Sequence, residues 1–267
     1  MKVIILTGSE IRHKYFRMRI SNDSRIDVLA TFCEGIEKSL QNRVKQNTKS
    51  SNLELQHVEA RFQAEIDFFS DYTSSFEDKS IPRFIPKGAI NDPEIVNEII
   101  KLKPDLLVCY GSSLIKSNLL HQFNGKFLNV HLGLSPYYRG CGTNVWPLIN
   151  NEPDMIGATF MYIDDGIDTG EIIHQIRADL FVGDSPHSIG NRLIRTMTNT
   201  YADIIANFES LERPKQPSAE GKLYYEKDFD SDSCKKLYFN LEQGMIEEYL
   251  NSNKELPYIA ENNGLKS

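Results

Sequence analysis

The sequence predicts an α/β domain with a mainly parallel sheet, and three observations carry that prediction. Residues 2–7 (KVIILT) and 105–110 (DLLVCY) are short, almost continuous apolar runs, as expected of strands buried on both faces of a parallel sheet. Strand-like runs then alternate with stretches of helical spacing, the pattern of βα crossovers rather than of hairpins. Glycine follows each of the two runs directly, at Gly8 and Gly111, where a buried strand must turn. In such a sheet the ligand crevice is expected at the carboxyl ends of the strands.

Taken in order, residues 2–7 form the first strand. After Gly8-Ser9-Glu10 comes a helical segment rich in cations: Arg12, His13, Lys14, Arg17 and Arg19. Strand, glycine turn and helix together present backbone N–H groups to an anion. The turn matches neither the dinucleotide nor the P-loop pattern, and a plain turn before a solvated basic helix fits it equally. Residues 26–33 (IDVLATFC) are a second strand. Residues 35–75 start polar, then place Leu55, Val58, Phe62, Ile66 and Phe69 at steps of three and four, one face of a helix. A helix or helical hairpin is expected there, packed over the sheet. Contact with a second copy, making a homodimer, is the alternative use of that face.

Residues 79–89 read as loop. Asp92-Pro93-Glu94 starts a helix that runs to about Leu102 and stops before Pro104. A short helix at 117–123 leads to a strand at 127–132, and 146–151 is helical. Residues 156–163 and 171–178 read as paired strands. Asp184-Ser185-Pro186-His187 caps a helix reaching about Leu211, with Ile189, Leu193, Met197, Tyr201 and Ile205 as its core stripe. Residues 223–226 (LYYE) resemble a short strand, 235–250 a last amphipathic helix, and the polar tail after it is expected to be mobile. The chain thus divides at about residue 211: a domain over 1–211 with a helical insertion at 35–75, and a small extension over 212–267 with a strand and a helix.

Composition narrows the task. Of the 267 residues, 40% are hydrophobic and 25% charged, and the net charge is −7. That balance suits a soluble protein with small-molecule substrates and disfavours nucleic acid as main partner, since phosphate neutralisation needs a basic face. No run approaches the ~20 apolar residues of a membrane helix, and the first residues lack the pattern of a secretory signal. Cys33, Cys109, Cys141 and Cys234 are widely spaced, which fits reduced thiols and a cytoplasmic location. His121 and His131 make no zinc pattern, and no metal is expected.

The chemistry concentrates between residues 127 and 173. In FLNVHL, Asn129 and His131 project from one strand face, about 7 Å apart. The loop Arg139-Gly140-Cys141-Gly142-Thr143-Asn144 follows, and a later run ends in DDGIDTG, residues 164–170. Amide, imidazole and carboxylate at strand ends can bind an oxyanion, place a positive charge beside it and handle a proton. A wet strand end and a hairpin turn would explain each residue singly; their ordered combination points to catalysis.

That stretch resembles the folate-dependent formyltransferases, most like the sugar N-formyltransferases. The matching residues are Asn129, His131, Ser135-Pro136, Gly140 and Asp168, with GEII at 170–173; where the family has proline after the histidine, this chain has Leu132-Gly133. The resemblance is good over residues 100–195. It implies a Rossmann-like formyltransferase domain, 10-formyltetrahydrofolate as formyl donor, and Asn129, His131 and Asp168 as catalytic residues. By the same resemblance Ser113, Leu114, Ile115, Asp164 and Gly166 would hold the reduced pterin. Ser9, Arg12, His13, Arg139, Thr143 and Asn144 would face the acceptor. A nucleotide-linked amino sugar for surface glycan biosynthesis is the expected acceptor, because the segment after the site is acidic and helical rather than the basic barrel expected for tRNA. Methionyl-tRNA or glycinamide ribonucleotide formylation, a formyltetrahydrofolate deformylase, and a non-catalytic folate- or nucleotide-binding module are the alternatives.

Overall fold

The computed structural model describes residues 1–37, 39–48 and 50–265; Lys38 and Lys49 of the 35–75 segment and the last two residues of the extension lie outside the described residues. The chain runs β1 (Lys2–Gly8), α1 (Ile11–Ser21), β2 (Asp27–Glu34), α2 (Leu40–Gln46), α3 (Asn52–Ser75), β3 (Pro82–Ile85) and α4 (Pro93–Leu102). It continues through β4 (Leu106–Tyr110), α5 (Ser117–Leu120), β5 (Phe127–His131), β6 (Tyr138–Gly140), α6 (Trp146–Ile149), β7 (Gly157–Tyr162) and β8 (Ile172–Arg177). Then come α7 (Pro186–Ala206), β9 (Lys222–Tyr224), α8 (Ser231–Glu242) and α9 (Met245–Leu250).

Seven strands make the central sheet in the order β3-β2-β1-β4-β5-β7-β8. β3 to β5 are parallel, while β7 pairs antiparallel with both β5 and β8. The fold is therefore α/β with a mostly parallel sheet. Burial explains the apolar runs: Val3 and Ile5 join the core under α1, α3 and α7, whereas Ile4 and Leu6 join the core under α4 and α5. Strand order reverses between β1 and β4, and the loops after β4 and β5 leave the same end of the sheet, where such a sheet leaves a crevice. β7 is antiparallel, so the loop after it starts from the other end of β5 and reaches into the same crevice.

Several expectations need correcting. Residues 79–89 hold the edge strand β3, hidden from a sequence reading by Pro82 and Pro86, which an edge position tolerates. The last helix is two, α8 and α9, divided at Gly244 with φ +80°. The helical spacing at 55–69 is right, and Val58 and Phe69 of the expected face are buried, but Leu55 and Phe62 are exposed and α3 also turns Glu54, His57, Glu65 and Thr73 inward. The reason is that α3 packs on α1, α7 and α8 rather than on the sheet, and polar pairs cross that seam. The polar tail is packed too. Ala260 and Asn262 are fully buried beside β8, where the Gln175 backbone N–H donates to Ala260 O at 2.7 Å. Among the described residues no helix is long and apolar enough to cross a membrane.

Candidate active site

Strand β5 delivers Asn129 and His131 to one wall of a cleft of about 900 Å³. The alternation of the strand buries Leu128 and Val130 behind them. Asp168 comes from the loop between β7 and β8, with Oδ2 3.3 Å from His131 Nδ1. Its φ of +51° lies in the left-handed region, which Asp tolerates better than most residues. The Gly140 N–H donates to the same carboxylate at 2.8 Å.

The other edge of the ring is equally fixed. His131 Nε2 lies 3.1 Å from Tyr138 O and 3.1 Å from Thr143 Oγ1. Thr143 donates its only proton to Leu132 O at 2.6 Å, so it offers Nε2 a lone pair and nothing else. Acceptors thus face both ring nitrogens: the Asp168 carboxylate at Nδ1, and Tyr138 O and Thr143 Oγ1 at Nε2. Asn129 differs: its amide faces the cleft and makes no hydrogen bond among the described residues.

Ser113, Leu114, Ile115, Asp164 and Gly166 line the same cleft. Asp164 is engaged internally, accepting from Gly166 N at 3.0 Å and Thr169 Oγ1 at 2.8 Å. Of the backbone groups in the 111–116 loop, Ser113 N is taken by Glu34 and Leu114 O by Asn91. Thr143 and Asn144 reach the cleft as well, but the Thr143 hydroxyl is spent on holding His131. Arg139 does not reach it; its Nε is buried without a hydrogen-bond partner among the described residues. Ser9 lines a neighbouring cavity of about 450 Å³, which shares Arg12 and His13 with the cleft.

Arg12, His13 and Arg17 of α1 are not free for an anion. Arg12 contacts both oxygens of Glu65 at 2.8 Å and also pairs with Glu10. Burial alone would push the Glu10 carboxyl up, but the Arg12 guanidinium outweighs it and holds it far below the usual range. Burial and then Arg12 depress His13, keeping it neutral. Its Nδ1 is 3.2 Å from Glu10 Oε2 but off the line of a hydrogen bond. Arg17 is buried on Asp78 and Ser80. The basic helix is neither solvated nor open.

Sequence reasoning missed Glu34, at the carboxyl end of β2. Fully buried, it accepts from Ser113 N at 2.6 Å, Gly88 N at 2.8 Å and Lys87 Nζ at 3.1 Å. It therefore fixes the 111–116 loop. A charge closing an apolar strand run is the one signal that could have found it. Arg43, Arg61, Tyr224, Tyr225 and Lys227 also line the cleft, and they come from segments with no motif. Partial burial, then Glu226 and Asp168, push the exposed Cys141 thiol up, away from nucleophile chemistry. Among the described residues no His, Cys, Asp and Glu are grouped to hold a metal.

Comparison with known proteins adds three findings. The family model described as formyl transferase matches residues 1–205. A methionyl-tRNA formyltransferase of Alkaliphilus oremlandii is 33% identical over 148 residues, 55% of this chain and 47% of the relative; the chain spans about half the length of the curated relatives it matches. Two solved structures share the fold. A sugar N-formyltransferase of a Shewanella species superposes with a TM-score of 0.56 at 19% identity, covering 86% of this chain and 78% of that one. A phosphoribosylglycinamide formyltransferase of Anaplasma phagocytophilum gives 0.56 at 14%, covering 84% and 98%.

Proposed function

Because the chain belongs to the formyl transferase family, we propose that it moves a formyl group from 10-formyltetrahydrofolate to the amine of a small acceptor, an amino sugar carried on a nucleotide and destined for a surface glycan. The observation that carries formyl transfer is the cleft-facing amide of Asn129 beside the His131–Asp168 pair. The donor fits the cleft: Leu114, Ile115, Met161 and Ile163 supply apolar walls, and the backbone of 111–115 supplies polar edges not all committed elsewhere.

In this reading the acceptor amine attacks the formyl carbon, and the bond from that carbon to the folate nitrogen breaks. The Asn129 amide donates to the oxygen as it becomes an oxyanion. His131 supplies positive charge beside it. Asp168 takes the ammonium proton, directly or through water, and that proton is passed on through water to the folate nitrogen as it leaves. The amine must be neutral to attack, so turnover rises with pH until it is fully deprotonated.

For the acceptor, the net charge of −7 favours a small ligand over a polyanion. A second reading is methionyl-tRNA formylation, favoured by the name of the 33% identical relative. A panel decides: nucleotide-linked 3-amino and 4-amino sugars, free amino sugars, charged initiator tRNA and glycinamide ribonucleotide, each with 10-formyltetrahydrofolate, read by mass spectrometry for one added formyl group. Formylation of a nucleotide-linked sugar is expected. Product from tRNA or glycinamide ribonucleotide alone would replace the acceptor and keep the chemistry.

A further inference from the structure

With Arg12 tied up by carboxylates and His13 buried and neutral, the cleft still has cations, supplied by other elements. Arg43 of α2, Arg61 of α3 and Lys227 of the turn after β9 all line it. Arg43 donates Nη1 to Glu226 O at 2.8 Å and sets Nε 3.3 Å from Glu226 Oε1. Arg61 spends Nε on Glu65 at 3.0 Å. Its two terminal nitrogens, and one of Arg43, have no partner among the described residues. Lys227 lies 5.8 Å from the centre of the Tyr225 ring and forms no ion pair among the described residues. Tyr225 is 50% exposed and lines the cleft with them.

This wall is continuous with the reacting groups. The Cys141 N–H donates to Tyr224 O at 2.8 Å, joining the glycine loop to β9. Glu226 and Asp168 both raise the Cys141 thiol while Arg43 opposes them, so all three stand within electrostatic reach of one side chain. An aromatic face, two guanidinium groups and an ammonium lining one cleft match a base followed by phosphates: planar stacking for one, paired N–H donors for the other.

We infer that α2, α3 and the turn after β9 form a subsite for the nucleoside diphosphate part of the acceptor, with Arg43, Arg61 and Lys227 on the phosphates and Tyr225 under the base. The inference rests on the proposed formylation of a nucleotide-linked amine. It assigns the anion to the helical insertion instead of to α1. The chain thereby keeps an acidic surface and still reads a phosphate.

UDP, dTDP and inorganic pyrophosphate titrated calorimetrically onto the full chain test it, with 5-formyltetrahydrofolate titrated onto the same samples. UDP or dTDP is expected to bind. Arg43→Met and Arg61→Met should each weaken that binding about tenfold, for pyrophosphate as well. Tyr225→Ala should weaken UDP and dTDP about tenfold while leaving pyrophosphate unchanged. Folate affinity should hold throughout. Nucleoside diphosphate binding that ignores all three substitutions overturns the subsite and leaves the nucleotide acceptor standing. No binding of UDP or dTDP to the unaltered chain at millimolar concentration, with folate bound, overturns subsite and nucleotide acceptor together and leaves formyl transfer intact. Arg43 also secures Glu226. Should Arg43→Met lose folate binding, Arg61→Met and Lys227→Met decide by the same criterion.

Discussion

Gly133 sets how closely the backbone can pass behind the His131 ring. A Cβ there would stand 2.4 Å from His131 Nε2 and 2.8 Å from Thr143, so Gly133→Ala is expected to push the ring off its contacts. Turnover should fall about tenfold or more with the protein still folded, read as kcat beside a circular dichroism spectrum. Asn129→Ala should cost ~3–4 kcal/mol of barrier, two to three decades in kcat. Asp168→Asn, which keeps a residue tolerant of φ +51°, should lose a similar factor; near-normal turnover would refute the role given to the carboxylate. Glu34→Gln replaces one accepting oxygen with an NH2 facing a donor. It should raise KM for the folate donor about tenfold, with a smaller change in kcat at saturating donor. At this scale Asn129 and His131 were legible because strand period puts them on one face. Asp168 was legible from its glycine-flanked loop. Glu34 was not, since its partners Lys87, Gly88 and Ser113 are brought to it only by the sheet.

Among elements, α3 shows what periodicity can and cannot say. Steps of three and four announce a helix, and a helix forms, with a Ser51–Glu54 capping box at its start. Which face turns inward depends on the neighbours, and here they are helices bearing ionic partners. His57 of α3 packs at a tilt against His187 of α7 with ring centres 4.8 Å apart, and the Tyr238 hydroxyl of α8 lies 3.1 Å from His57 Nδ1. Burial, then His187 and Arg61, depress His57 to about 3. Burial and Arg61 depress His187 to about 4, with Glu65 pulling the other way. Both rings are neutral in the fold but titrate near 6.5 once unfolded. Below 6.5 the unfolded chain therefore binds the extra protons, and this stability is lost as pH falls from 6.5 toward 4 and then 3. The loss is roughly 2 kcal/mol per ring by pH 5. Urea midpoints at pH 7.5 and 5 should differ accordingly, and His57→Gln with His187→Gln should flatten the difference. Equal midpoints for the unaltered chain would count against this account.

For the whole molecule, the segment after α9 is part of the fold and not a trailing end. Asn262, fully buried, donates to Glu212 O at 2.7 Å and Ile173 O at 3.3 Å. The Tyr137 hydroxyl donates to Tyr258 O at 3.0 Å. Asn262→Ala leaves buried carbonyls unpaired and should cost about 1–3 kcal/mol, read as a lowered thermal midpoint; an unchanged midpoint would mean that the segment does not hold β8. Composition could not announce this order, because 251–263 is as polar as a mobile tail. Its structure comes from pairing with a strand far upstream. The sheet was legible for the opposite reason: its strands are buried on both faces, and that burial is written in unbroken apolar runs.

β6 and β9 meet only in space, with Gly140 packed so closely on β9 that a Cβ would stand 2.1 Å from Tyr224 O. On the ribosome, Asn129, His131, Gly140 and Asp168 all emerge well before residues 222–224 do. A newborn chain thus holds every reacting group while the glycine loop that donates to Asp168 still lacks the strand that seats it. Competence comes late in synthesis, and stray amines meet no working site on an unfinished chain. Translation arrested at successive lengths should show turnover only once residue 224 has cleared the exit tunnel.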